Sequence, residues 1–167
     1  MVVRIEPLGK HHDRAGFASG EPLLDDWFRQ RANQDDKRNV ARIFVAVDDD
    51  GIAGFYSLSA FTLSLTDIPE DLARKLPRYD AIPAGLIGRL ARAERVRGQG
   101  IGELLLADAI KRILGAGRTL AVFAIVVDAK DDRAVTFYKR YGFRSFPLRP
   151  RRLFLLTSTA AAGLKKL

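Results

Sequence analysis

The stretch "IPAGLIGRLARAERVRGQGIGELLLADAIKRIL" constrains the fold more than any other part of the chain. It reads as a strand, "IPAGLIGRLARA", leading straight into a basic glycine run, "RVRGQGIG", and then a helix from Ile101 to Leu114. Ile101, Leu104, Leu105, Ala109, Ile110 and Ile113 fall along one face of that helix. Glycines at this density mean that the chain turns tightly or lets something approach its amides. A strand feeding a helix through such a turn belongs to an α/β layer architecture, and the guest its bare amides favour is an anion such as phosphate.

The rest of the chain alternates in the same way. "VVRIEPL" is expected as an opening strand, and "FASGEPLLDDWFRQRANQD" as a helix with Ser19 as N-cap and Pro22 in its first turn. Leu23, Leu24, Trp27 and Phe28 recur at helical spacing and are assigned to the core. "ARIFVAV" and "IAGFYSLSAFTL" flank the turn "DDDG" and form a hairpin. "IPEDLARKLP" reads as a short helix ended by Pro77. After the glycine run come a buried strand, "LAVFAIVV", a helix through "DDRAVTFYKRYGF" stopped at Gly142, and a final strand, "RRLFLLT". Residues 158–167 read as a loosely held tail. With 167 residues and no repeat or linker, a single domain spanning 1–167 is expected.

Composition narrows function by exclusion. The absence of cysteine removes disulfides, thiolate metal sites and a cysteine nucleophile, and suits a reducing cytoplasm. No apolar run reaches a membrane span, and the first residues lack a signal peptide's apolar core, so a soluble cytoplasmic protein is expected. His11 and His12 are expected to face different ways in a solvated loop, with no third ligand and no metal. Glu94 is a weak candidate for a base, and an exposed charge is its plainer reading.

The net charge of +8 is one-sided. From Arg133 onward there are nine Lys or Arg and no acid, against 19 basic and 20 acidic residues before it. Such a patch suits a polyanion such as nucleic acid, and suits a solubilising surface equally well.

Three phosphate loops compete for the glycine run. A Walker loop needs Gly-Lys-Ser/Thr, whereas Ile101 and Glu103 follow Gly100 and Gly102. A dinucleotide fingerprint needs G-x-G-x-x-G, but Gly98, Gly100 and Gly102 are spaced G-x-G-x-G. The third fits: Arg97-Gly98-Gln99-Gly100-Ile101-Gly102 resembles the Q/R-x-x-G-x-G/A motif of the Gcn5-related N-acetyltransferases (GNAT), whose backbone amides cradle the pyrophosphate of acetyl-CoA. "DRAVTFYKRYGF" resembles the same family's late segment, which places Tyr138 on the position of the usual general acid. Tyr138 also crowds with Phe137, Tyr141 and Phe143, as a core aromatic would. Many members carry an asparagine after the fifth strand. Here the residue is Asp128, with Asp131 three positions on, and the two are read as capping the next helix.

The resemblance implies a GNAT acyltransferase fold: a single central mixed β-sheet flanked by helices and splayed between the fourth and fifth strands. It implies that Leu90, Ala91 and Arg92 pair with the pantetheine arm of acetyl-CoA, that Arg97 to Gly102 hold its pyrophosphate, and that a strand amide and Tyr138 serve the reaction. "FASGEPLLDDWFRQRA", "IAGFYSL", "GRLARAERVRGQGIG" and "VVDAKDDRAVTFYKRYGF" further resemble the acetyltransferase toxins of bacterial type II toxin–antitoxin pairs. That likeness implies charged tRNA as substrate, acetylated on the amino acid's α-amine, and a ribbon-helix-helix antitoxin as partner. Arg140, Arg144, Arg149, Arg151 and Arg152 are then the candidate tRNA contacts. Homodimer formation is left open. The rival functions are acetylation of a small amine and a binding module with a degenerate site.

Overall fold

The computed structural model describes residues 2–79 and 81–164. In chain order its elements are β1 (Arg4–Pro7), α1 (Pro22–Gln30), α2 (Ala32–Lys37), β2 (Arg42–Asp48), β3 (Gly51–Leu63) and α3 (Glu70–Ala73). There follow β4 (Ile82–Arg92), a 3-10 turn (Glu94–Val96), α4 (Ile101–Ala116), β5 (Ala124–Asp128), α5 (Asp132–Arg140), β6 (Arg144–Phe146), β7 (Arg149–Leu156) and α6 (Thr157–Leu164). The strands hydrogen-bond in the order β1-β2-β3-β4-β5-β7-β6. β4 and β5 are parallel, while β2 pairs antiparallel with β1 and β3, and β7 with β5 and β6, so the sheet is mixed, as expected. Two compact units divide the chain: Met1–Ser59 with Ile87–Lys111, and Ala60–Leu86 with Arg112–Leu167.

The first unit is built on the hairpin. β2 and β3 pair from Arg42↔Leu58 to Asp48↔Gly51, with a register shift at Ala46/Val47. Phe55 of β3 lies parallel to Phe28 of α1, ring centroids 4.1 Å apart, and Phe17 meets both edge-on at 5.0 and 5.5 Å. All three rings are buried, so α1 is held by aromatic area more than by helix propensity. Gly54 sits beside this cluster at a point of close approach. A Cβ there would fall 2.8 Å from the Ala91 carbonyl of β4, 2.8 Å from Leu105 and 3.2 Å from Ile101, both of α4.

In the second unit, Leu63, Ile68, Ile82, Ala84, Ala124, Val126, Phe146 and Phe154 form one buried cluster. The Thr157 hydroxyl donates to the Val122 and Phe123 carbonyls, at 2.7 and 2.9 Å, and fastens the start of α6.

Several local expectations give way to tertiary geometry. Ser19 is not the N-cap of α1. Glu21 occupies that position without a side-chain cap, because the buried Asp25 carboxylate reaches back to accept from the Ser19 amide (3.1 Å) and hydroxyl (2.6 Å). The expected single helix breaks at Arg31 into α1 and α2. Leu23 is 88% exposed, while Trp27 and Phe28 are buried. On α4 the core face takes Leu106 and leaves Leu104 exposed. A 3-10 turn intervenes between β4 and the glycine run, β5 begins only at Ala124, and β6 is a strand the sequence did not announce. Thr157–Leu164, most of the expected tail, is helical, with Ala160 buried; residues 165–167 lie outside the described residues.

Two glycines separate close approach from simple flexibility. Gly54→Ala should destabilise by about 1–3 kcal/mol, the usual cost of overpacking. Gly115→Ala, where a Cβ meets nothing within 4 Å inside α4, should stabilise, by roughly 0.4–1 kcal/mol. Urea unfolding of both variants checks the pair of signs.

Candidate active site

The first unit carries every residue expected on the cofactor side. Leu90, Ala91 and Arg92 are the last three residues of β4; Ala91 is buried and its neighbours half-buried. Arg97, Gly98, Gln99 and Gly100 are all exposed, Ile101 is buried at the start of α4, and Gly102 is half-buried. Gly98 and Gly100 have φ of +79 and +77°, a left-handed conformation that side chains resist, so glycine is required here by the backbone itself. The first α4 hydrogen bond runs from the Leu104 amide to the Gly100 carbonyl, 3.1 Å. Amides ahead of it, including those of Ile101 and Gly102, have no carbonyl one turn earlier to bond. Unbonded amides at the positive end of a 16-residue helix, next to the exposed Gly98 and Gly100, suit an anion, so the residues present fit a pyrophosphate.

The approach to the loop is fixed by a contact that sequence reasoning missed. Arg95, in the 3-10 turn, forms a two-pronged pair with Asp48 at the end of β2, both distances 2.8 Å. The pair holds the Asp48 carboxyl below the usual carboxylate range and raises the guanidinium. Its members are 47 residues apart, and no local pattern joins them. Glu94 is exposed, as expected, and its amide donates to the Ala18 carbonyl at 2.9 Å.

The second unit carries Tyr138 and the five arginines. Asp131 caps α5 by accepting from the Ala134 amide at 2.8 Å, and Gly142, with φ +92°, ends it. Tyr138 is 6% exposed, edge-on to Phe137 and Phe143 at 5.2 and 5.6 Å. Burial, reinforced by the negative charge of Asp128, pushes its phenol up to about 12. The hydroxyl therefore keeps its proton throughout the physiological range.

Asp128 does not cap α5. It is gripped by Arg152 through two bonds, 2.8 and 3.1 Å, and Arg152 also stacks on Phe61 at 4.9 Å. Asp128, Asp132, Arg149, Arg151 and Arg152 line a cleft of about 480 Å³. The expected basic surface is partly neutralised by acids from earlier in the chain. Arg144 pairs with Asp71 at 3.6 Å and Arg151 with Asp132 at 3.3 Å, while Arg149 makes no ion pair among the described residues. Arg140 lies 5.9 and 5.8 Å from the Phe137 and Tyr141 rings. Lys165 and Lys166 lie outside the described residues.

The histidine pair behaves differently from the expectation. His11 and His12 do not diverge: their ring centroids are 4.0 Å apart, and Glu6 supplies a third ligand type at 3.6 and 2.6 Å. Hydrogen bonding nonetheless occupies His12. Its Nδ1 accepts from the Gly9 amide at 2.8 Å, so in the neutral ring the Nε2 proton is donated to Glu6 and no ring lone pair is left for a metal. That bond, first among its causes, lowers the Glu6 carboxyl.

A glycine turn at a helix N-terminus, with β4 of a mixed sheet leading toward it, suits a phosphate-bearing ligand. A family model described as "Acetyltransferase (GNAT) domain" matches residues 39–145, and the chain belongs to that family of N-acetyltransferases using acetyl-CoA. A "Probable toxin TacT" of Sinorhizobium fredii is 36% identical, over 93% of this chain and 91% of its own. A "tRNA-acetylating toxin" of Mycobacterium tuberculosis is 37% identical, over 90% and 89%. Among solved structures, AtaT complexed with acetyl-methionyl-tRNAfMet shares the fold with a TM-score of 0.90 (24% identity, 98% and 99% of the two chains). So does a mutant AtaT toxin bound to the C-terminus of the antitoxin AtaR and acetyl-CoA, with a TM-score of 0.83 (22% identity, 99% of each chain). No helix among the described residues is long and apolar enough to cross a membrane.

The burial of Tyr138 has a spectroscopic consequence. Because burial disfavours the anion, the tyrosinate absorbance that Tyr138→Phe removes should develop with a midpoint of about 12, well above the ordinary phenol value near 10. Stability conferred by this group is complete below the unfolded phenol's range and lost as pH rises through it toward that midpoint. Difference titration of the two proteins checks it; a midpoint near 10 would mean that the hydroxyl is open to water.

Proposed function

We propose that this chain transfers the acetyl group of acetyl-CoA to the α-amine of the amino acid on charged tRNA. The observation that carries the reading is the extent of likeness to relatives named for toxicity and tRNA acetylation, at 36–37% identity over at least 89% of either chain. The setting that follows is the cytoplasm, with a ribbon-helix-helix antitoxin as protein partner.

Acetyl-CoA supplies its acetyl group as an activated thioester. The loop from Arg97 to Gly102 would hold its pyrophosphate through the amides left unbonded there, and the backbone of Leu90 to Arg92 would pair with its pantetheine arm as an added strand does. Tyr138 holds a proton for the departing sulfur. An α-amine, with a pKa of about 7.7–8.0, is partly neutral at physiological pH, so this acceptor needs no strong base. A lysine amine, near 10.4, would need one. Of the arginines, Arg149 is the candidate phosphate contact best supported by its lack of an acidic partner, whereas Arg152 is already occupied by Asp128.

Two measurements test the reading. Acetyl-CoA should raise the melting temperature in proportion to the logarithm of its concentration. Gly100→Glu should abolish that shift, since a carboxylate would occupy the cradle on a left-handed backbone; an unmutated protein that ignores acetyl-CoA would remove the cofactor assignment. In the second, labelled acetyl-CoA is incubated with total charged tRNA. Label should enter the tRNA fraction and leave as an acetylated amino acid on mild alkaline hydrolysis of the ester. Tyr138→Phe should slow this by roughly 10²–10⁴ without weakening acetyl-CoA binding. Label that enters a free amine and not tRNA would favour a small-molecule acceptor.

A further inference from the structure

Arg89 of β4 is a cation that the assignments above leave without a task. Its side chain is half-buried, and its Cζ lies 3.9 Å from the centroid of the Trp27 ring. Trp27 is itself fixed. Its indole N–H donates to Asp35 at 3.0 Å, and its ring packs near-parallel to Phe55 at 6.0 Å. The Arg89 backbone is fixed as well, its amide donating to the Oγ of buried Ser57 at 3.1 Å. Stacking occupies the face of the guanidinium and leaves its N–H groups directed outward in the ring plane. Among the described residues, none accepts a hydrogen bond from that guanidinium or pairs with it as an ion. Asp35 acts on it only through its charge, its carboxylate being engaged by the indole.

A rigid, flat, partly desolvated guanidinium with no carboxylate partner is built to take a planar pair of anionic oxygens. Arg89 directly precedes Leu90 to Arg92, the segment assigned to the pantetheine arm. We propose that Arg89 is a substrate-reading residue, whose guanidinium, braced on Trp27, takes a phosphodiester near the 3′ end of the charged tRNA. The inference rests on the proposed tRNA reading and adds the residue that distinguishes a nucleotide-borne amine from a free one. The same phosphate chemistry exists in coenzyme A, so the test must separate the two sources.

The experiment compares unmutated protein, Arg89→Met and Arg89→Lys on three readouts. These are acetylation of charged tRNA across a salt series, acetylation of an aminoacyl-adenosine ester lacking any phosphate, and calorimetric binding of acetyl-CoA. Methionine preserves contact with Trp27 and removes the charge. For Arg89→Met, kcat/KM on charged tRNA should fall about 10- to 100-fold, chiefly through KM, as expected for a lost charged hydrogen bond. The salt slope should flatten by about 1. The phosphate-free ester and acetyl-CoA affinity should be unchanged. Arg89→Lys should keep the salt slope and lose part of the rate, since a lysine supplies charge without the fork. Should the methionine variant fail to fold, the lysine variant carries the comparison by its larger loss on tRNA than on ester. Unchanged tRNA kinetics, equal losses on both acceptors, or weakened acetyl-CoA binding would each overturn the proposal. An unmutated protein that acetylates the ester but not tRNA overturns the parent reading and this one with it, a result distinct from an active parent with an indifferent Arg89.

Discussion

Three elements of the first unit converge on a side chain that is missing. At Gly54, β3 comes so close to the Ala91 carbonyl and to Ile101 and Leu105 that even a methyl group would displace one of them. The contact brings the end of β4 and the first turn of α4 to a common point, and those are the two segments assigned to the cofactor. A loop can then be exposed and still rigid: Gly98 and Gly100 stand in solvent while both flanks are anchored, one by Gly54 and the other by the Arg95–Asp48 fork. Close packing of this kind transmits small displacements rather than absorbing them.

What could be read from the sequence was what is decided within a turn or two of chain. The glycine run, the Asp49–Asp50 turn of the hairpin and the Gly142 stop are local backbone requirements, and each lies where the residues placed it. What could not be read depends on partners far along the chain. Ser19 has the chemistry of a cap, but buried Asp25 claims it first. Leu104 and Leu106 are equally apolar, and only the packing of α4 decides which one is buried. His11, His12 and Glu6 meet because a short loop folds back, which adjacency in sequence argues against.

The charge distribution shows the same limit in the candidate site. A count along the chain finds nine bases and no acid from Arg133 onward. In the fold, Asp71, Asp128 and Asp132 come back to meet Arg144, Arg152 and Arg151. The surface is thus a mosaic, and the electrostatic identity of an arginine depends on whether an acid has reached it. Arg89 went unnoticed for the converse reason. It lies before the one-sided final fifth, and that no carboxylate hydrogen-bonds to it is a property of the fold around β4.

The buried phenol of Tyr138 has a bearing on the direction in which protons move. At about 12 it holds its proton far more tightly than an alkyl thiol of the cysteine type, whose reference value is about 8.5. A donor weaker than the acid it is asked to make cannot drive the transfer to completion by itself. For the role proposed for Tyr138, this value favours a hydrogen bond lent to the sulfur as negative charge gathers there over outright surrender of the proton. That reading suits a residue only 6% exposed, with the Phe137 and Phe143 rings packed edge-on against it.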